Sequence, residues 1–261
     1  MTNYAGDTNA ALARAVVYRT LSVAFEPPVD ARLNEIGARA GFPAVVAALA
    51  YLYRRRLASA AAQLESLRVA GTDTLSADHW RLFGHTTRGL VCACETEYGP
   101  DNGFHQPQQL ADIAGYYLAF GLRPSASGEV RPDHMACECE FMDFLSRKQA
   151  HLLDAVDSTD RAEALETTTD AARSFLRDHL GRFGRAFGAR VASEDRGGFH
   201  GVMGRLLLTF VDEECARLGL QAGPIDLLVR PEDVDDAPMA CGSATDGGEP
   251  VPLPMYRRDR F

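Results

Sequence analysis

The feature that most constrains this 261-residue chain is a recurrence of apolar side chains three and four positions apart, repeated along most of its length. That spacing lines one side of an α-helix, whereas a half-buried strand needs strict alternation. Leu12, Val16, Tyr18/Arg19 and Val23 predict a first helix between Ala10 and Phe25, stopped by Pro27-Pro28. A short helix is expected over Ala31–Gly41. A longer one is expected from Pro43 to Leu67, with Val46, Leu49, Leu52/Tyr53, Leu57, Leu64 and Leu67 as its stripe. Ser76 or Asp78 is placed to cap a helix carrying Trp80, Leu82, Phe83 and Leu90.

After a loop from Gly99 to Gln106, QQLADIAGYYLAFGL presents Leu110, Ile113, Ala114, Tyr117 and Leu118 on one side and ends near Gly121. Further helices are expected from Arg131 to about Val156, from Asp160 to Phe187 with bends at Gly181 and Gly184, and from about Val202 to Leu218. No run of alternating Val, Ile and Thr separates them, and no Gly-rich strand end leads into a helix. The fold class is therefore all-α: a single-domain helical bundle over residues 1–230. Residues 231–261, with five prolines and the run GSATDGG, read as a Pro/Gly-rich tail.

Charge narrows the partners. Twenty-seven basic against 36 acidic residues give −9, and nowhere are Lys and Arg concentrated as duplex binding requires. An acidic surface instead attracts basic partners, peptides included. The N-terminus has no basic stretch ahead of an apolar core, and GFPAVVAALAYLY, at 13 residues, is too short to span a bilayer. The expected compartment is the cytoplasm, where six cysteines remain thiols.

Motifs of catalysis are missing from the chain: it has no HExxH, no GxxxxGK[ST], no GxGxxG opening a βαβ unit and no paired Glu-x-x-His. The densest chemistry is RPDHMACECEFMDFL, Arg131 to Leu145. Pro132 suits a first helical turn, and Asp133 can accept the orphan N–H groups there. His134 and Glu138, four apart, share a face. Cys137 and Cys139 stand about 200° apart around a helix, so both cannot aim at one ion. Cys92 and Cys94 repeat that spacing, and Cys241 lies in the tail. A cysteine-liganded metal or redox protein remains the alternative reading, against the two-to-four-residue spacing that structural zinc sites prefer.

Three segments in order, ETEYG (95–99), ADIAGYYLAFG (111–121) and RPDHMACECEFM (131–142), resemble the TorD/DmsD/NarJ-like redox-enzyme maturation chaperones, most closely the branch serving type II enzymes of the dimethyl sulfoxide reductase family. Leu82-Phe83-Gly84, followed by His85, resembles the family's L-F-x-G element. The resemblance spans Trp80 to about Leu153. It implies an all-helical, non-enzymatic protein of the TorD-like type with no cofactor of its own. It also implies a partner: the catalytic subunit of a type II molybdoenzyme, held through its twin-arginine signal peptide while the molybdenum cofactor is inserted, with monomer or homodimer both open.

The helix-opening proline and the Asp–His pair of the family correspond to Pro132, Asp133 and His134, and its acid–aromatic pair to Glu97 and Tyr98. Departures are Cys92-Ala93-Cys94 where relatives carry a proline and an aromatic, and Cys139 where they carry leucine. A twin-arginine ligand needs carboxylates beside apolar surface. The candidate acids are Asp133, Glu138, Glu97 and Asp112. Candidate apolar contacts are Trp80, Phe83, Tyr98, Phe104, Tyr116 and Tyr117.

Overall fold

Helix α1 (Thr8–Phe25) begins where the Asp7 carboxylate accepts the Asn9 N–H at 2.9 Å, and it stops one residue short of Pro27-Pro28, where no further helical N–H is available. In the computed structural model of the chain, which describes residues 7–28, 42–53, 55–67, 70–84, 89–99, 105–123, 130–155 and 159–230, this helix is buried on almost every side. It packs on α6 (Met135–Asp154), α2 (Pro43–Tyr53) and α9 (Phe199–Leu218). Leu12, expected on the inner stripe, faces solvent, while Tyr18, Leu21 and Phe25 are enclosed. The one-stripe reading assumed a surface helix, and a helix wrapped by neighbours has no single inner face.

The remaining helices are α3 (Ala58–Ser66), α4 (Thr72–Phe83), α5 (His105–Ala119), α7 (Thr159–Phe175) and α8 (Gly181–Glu194). Among the described residues the only strand-like pairings are two isolated bridges, Cys94 with His134 and Tyr98 with Val229. The bundle is all-α, as the periodicity requires.

Three boundaries differ from expectation. The stretch expected as one helix from Pro43 to Leu67 is broken by a turn at residues 55–57, because α2 covers α1 while α3 must cover α9. Leu57 is buried at that corner. Helix α4 starts at Thr72 behind the cap position Gly71, so Ser76 and Asp78 lie inside it rather than capping it, and Leu90 lies beyond its end, exposed. Leu118 also faces solvent; of the face predicted for α5, Ile113 alone is fully buried. The helix expected over Ala31–Gly41 and the tail 231–261 lie outside the described residues.

Helices α7 and α8 run through one another by a π turn, Leu176–Leu180. The extra residue rotates the helix so that both halves bury a face, and Gly181 closes the turn, its N–H reaching the Leu176 carbonyl. A Cβ at Gly181 would stand 2.2 Å from that oxygen. The predicted bend at Gly181 is thus a widened turn whose cause is the π geometry. Farther on, α8 and α9 cross where Gly188 meets Gly204; a Cβ on Gly188 would sit 2.6 Å from the Gly204 carbonyl oxygen. Phe25, Phe83 and Phe187 fill the centre, with Phe183 linking Phe187 to Tyr98 beneath the polar junction described next.

Candidate functional site

Between α4 and α5 the chain makes a single 3-10 turn, Glu95–Glu97, flanked by extended residues Cys94 and Tyr98. Backbone hydrogen bonds hold it from two sides. The Glu95 N–H donates to the Asp133 carbonyl at 2.8 Å, and the Met135 N–H donates to the Ala93 carbonyl at 2.8 Å. Opposite, Gly99 donates to the Leu228 carbonyl and Arg230 donates to the Glu97 carbonyl. The Tyr98 hydroxyl bonds the Cys92 carbonyl at 2.7 Å. Glu95, Thr96, Glu97 and Tyr98 are all buried. Two carboxylates withdrawn from water in one turn demand partners of opposite charge.

One set of partners is local. Arg131 lays its guanidinium edge-on to Asp133, Nε to Oδ1 at 3.0 Å and Nη2 to Oδ2 at 2.9 Å, the bidentate geometry a planar fork favours. Its Nη1 reaches Glu97 Oε1 at 3.1 Å, and Nη2 also bonds the Thr96 hydroxyl at 2.7 Å. Asp133 Oδ2 accepts in addition from the Thr96 N–H and hydroxyl. The Gln106 amide donates to Glu97 Oε1 at 3.0 Å.

The other set comes from the π turn and the start of α8. Arg182 Nε bonds Glu95 Oε1 at 2.8 Å, and His179 Nδ1 lies 3.0 Å from Glu95 Oε2. Asp112, on α5, brings Oδ2 within 3.2 Å of His179 Nε2. Glu138, fully buried on the first turn of α6, faces Glu95. Burial above all, then the charges of Glu95 and Asp133, push its carboxyl well above the ordinary carboxylate range, which favours the protonated form. Four acids on this junction (Glu95, Glu97, Asp133 and Glu138) thus meet two arginines and a histidine.

The cap of α6 is His134, whose Nδ1 accepts the Ala136 N–H at 3.2 Å. Asp133, expected to cap, is instead consumed by Thr96 and Arg131, and the helix starts at Met135 rather than at Arg131. Pro132 accordingly stands in the turn before the helix, its carbonyl accepting from the Tyr117 hydroxyl at 2.8 Å. Burial, aided by Arg131, lowers His134 to about 4, so it is neutral at pH 7, as an accepting Nδ1 requires. The sequence had left both protonation states open.

The predicted site residues therefore divide. Glu97, Tyr98, Pro132, Asp133, His134 and Glu138 meet at the junction, with Asp112 beside it through His179. Of the four candidate acids only Asp112 is exposed, its side chain 65% accessible, while Asp133 is wholly enclosed. Tyr116 and Tyr117 are half-buried and pack their rings on Phe141 and Phe175. Phe83 is a core residue between Phe25 and Phe187, and Trp80 is half-buried against His79. Phe104 lies outside the described residues.

Sequence reasoning missed Glu95, Thr96, Arg131, His179 and Arg182 as members of the junction. The first three lie inside the quoted segments ETEYG and RPDH. No local signal marks His179 and Arg182, which approach Glu95 from 84 and 87 positions away.

Among the described residues no group of three His, Cys, Asp or Glu side chains could hold a metal ion. Cys137 and Cys139 lie on helix α6, as the 200° argument assumed. Burial pushes Cys137 up to about 12 and Cys139 well beyond the ordinary thiol range, which disfavours the thiolate that a metal needs. Cys94 is raised as well, through its hydrogen bond with Cys92 and its burial. Cys241 lies outside the described residues. No described helix is long and apolar enough to cross a membrane.

A search of curated proteins returns no match to this chain. A family model does match: the nitrate reductase delta subunit family aligns with residues 46–189, that is 144 of 261 residues. The matched span opens within α2 and closes within α8, and it contains the Glu95–Glu97 turn, Arg131, Asp133, His134, Glu138, His179 and Arg182. Non-enzymatic assistance to redox enzymes is general in this group, and the same segments had suggested it. With more than half its length matched, the chain belongs to the nitrate reductase delta subunit family, within the TorD/DmsD/NarJ-like redox-enzyme chaperones.

Proposed function

We propose that the chain is a maturation chaperone for a type II molybdoenzyme of the dimethyl sulfoxide reductase family. In this reading it holds the twin-arginine signal peptide of the catalytic subunit in the cytoplasm until the molybdenum cofactor has been inserted. The observation that carries the reading is chemical: the junction around Glu95–Glu97 and Asp133 is built to accept guanidinium groups, and two are already there, from Arg131 and Arg182. Carboxylates that bind arginine in fork geometry recognise the feature that distinguishes a twin-arginine peptide from other basic peptides. Exposed Leu118 and half-buried Tyr116 and Tyr117 on α5 lie along the chain from Asp112 and offer apolar surface for the hydrophobic run that follows the arginines.

Titration calorimetry with the client's signal peptide tests this. A peptide in which both arginines are replaced by lysine should bind at least about tenfold more weakly, since a point charge cannot make the paired bonds. Equal affinity of the two peptides would sink the reading. Co-purification of the client with and without its signal peptide tests the same claim on the whole partner.

A further inference from the structure

Arg131 differs from the other part-exposed arginines seated on buried carboxylates in how many groups it holds and in where its backbone lies. Its guanidinium bonds three acceptor side chains, Asp133, Glu97 and Thr96, that are all buried, while its own side chain remains 30% exposed. It therefore covers the acceptors from the solvent side. Its backbone belongs to no helix: Arg131 lies in the turn before the α6 cap, and its carbonyl accepts the His134 N–H. Rotation of the side chain alone would uncover Asp133 without disturbing any helix. Arg182 is as exposed, 28% over buried Glu95, but it differs in its mounting: it projects from the first turn of α8 and holds Glu95 together with His179.

We infer that the pocket formed by Thr96, Glu97 and Asp133 is an exchangeable guanidinium site, in which Arg131 is the resident ligand and an arginine side chain of a bound peptide takes its place. The inference rests on the signal-peptide reading above and specifies how that site is regulated. The chemistry of the exchange is symmetrical: one guanidinium leaves and an equivalent one enters, so the buried carboxylates face a cation both before and after it. An intramolecular competitor raises the peptide's apparent Kd to its intrinsic value divided by the fraction of time the seat is vacant. Selectivity follows as well, because only a planar fork can replace Arg131 on Asp133, Glu97 and Thr96 at once.

The decisive variant is Arg131→Ala, which empties the seat. Its melting temperature should fall, and low-millimolar guanidinium chloride, but not sodium chloride at equal ionic strength, should restore most of the loss; wild type should show no such gain. A peptide containing the twin-arginine motif should bind Arg131→Ala about tenfold or more tighter than wild type, the competitor being gone. Arg182→Ala should show neither effect. If Arg131→Ala does not fold, the wild type supplies the test: saturating twin-arginine peptide should shift and broaden the Arg131 Nε–H resonance in a 15N spectrum while leaving that of Arg182 in place. Absence of guanidinium rescue, with peptide bound equally by both proteins, overturns the exchange and leaves the signal-peptide reading standing. An unmoved Arg131 resonance at saturation does the same. No peptide binding to either protein overturns both.

Discussion

Two buried ionic clusters in this bundle are built on opposite plans. The first, described above, sets four acids against two arginines and a histidine, on a turn and a helix entrance. The second lies between α1, α2 and α9: Glu214 is gripped by Arg217, Nη2 to Oε2 at 2.7 Å, and by the Tyr53 hydroxyl, with buried Arg14 and Tyr18 beside it. Here one acid meets two arginines, and every member is on a helix. Burial by itself would raise the Glu214 carboxyl, but Arg217 and Arg14 lower it overall, so it stays ionised. A cation-rich cluster mounted on helices can only brace them. An acid-rich cluster in which Glu95, Glu97, Arg131 and Asp133 sit on turn backbone can trade one cation for another.

The comparison is broken most easily at Glu214. Glu214→Ala leaves Arg14 and Arg217 without their carboxylate and should cost about 3–5 kcal/mol of stability, read by denaturant unfolding. Affinity for a twin-arginine peptide should be unchanged. The lowered carboxyl also sets a sign: its stabilisation is present above the ordinary carboxylate range and is lost as pH falls through the folded value.

Asp133→Asn comes next. The amide nitrogen cannot accept from Arg131 or Thr96, so loss of charge-assisted bonds should remove about 2–3 kcal/mol. Unlike the Glu214 change it should also abolish the preference for arginine over lysine peptides in calorimetry. If it lowered stability while that preference survived, the junction would be a brace like its counterpart.

His134→Ala removes a helix cap and should cost about 1 kcal/mol, with a larger relative loss in peptide affinity; equal affinity with lower stability would leave only the cap. A pH dependence accompanies it. His134 and His200 are lowered to about 4 and His79 to about 3, burial being the first cause in each. The unfolded chain therefore takes up protons on these rings before the folded one does, and stability should decline as pH drops below about 6.5.

The smallest effect belongs to Glu138→Gln, expected within about 1 kcal/mol near the acid end, where the amide mimics the protonated carboxyl. Its value is the sign of the slope. A carboxyl raised on folding stabilises below its ordinary value and loses that stabilisation as pH rises toward the folded one. The variant should hence lose less stability than wild type between pH 5 and 8, and parallel curves would show that the Glu138 carboxyl is not raised on folding.

Much of the bundle was legible from spacing. The first and last long helices were found within two or three residues, because each is a long uninterrupted periodic stretch bounded by proline or glycine. Where the expectation failed, the cause was a neighbour: the corner before α3 exists because α2 and α3 cover different helices, and Asp133 yielded the cap to His134 because Thr96 and Arg131 claimed it. The segments ETEYG and RPDH marked the junction by resemblance, yet nothing in them told which carboxylates would be sealed.

What the sequence determined alone is what depends on residues a few positions apart: helix class, most helix ends, the presence of the signature segments, and an acidic balance that favours basic partners. The tertiary structure decided what depends on approach across long separations. It brought His179 and Arg182 onto Glu95, buried Glu138 so that its carboxyl is raised well above the ordinary range, and seated Arg131 over Asp133 and Glu97. Periodicity records which side of a helix avoids water. The pairing and ionisation of a buried charge are set by whatever the fold carries to within about 3 Å of it, and that distance has no counterpart in sequence spacing.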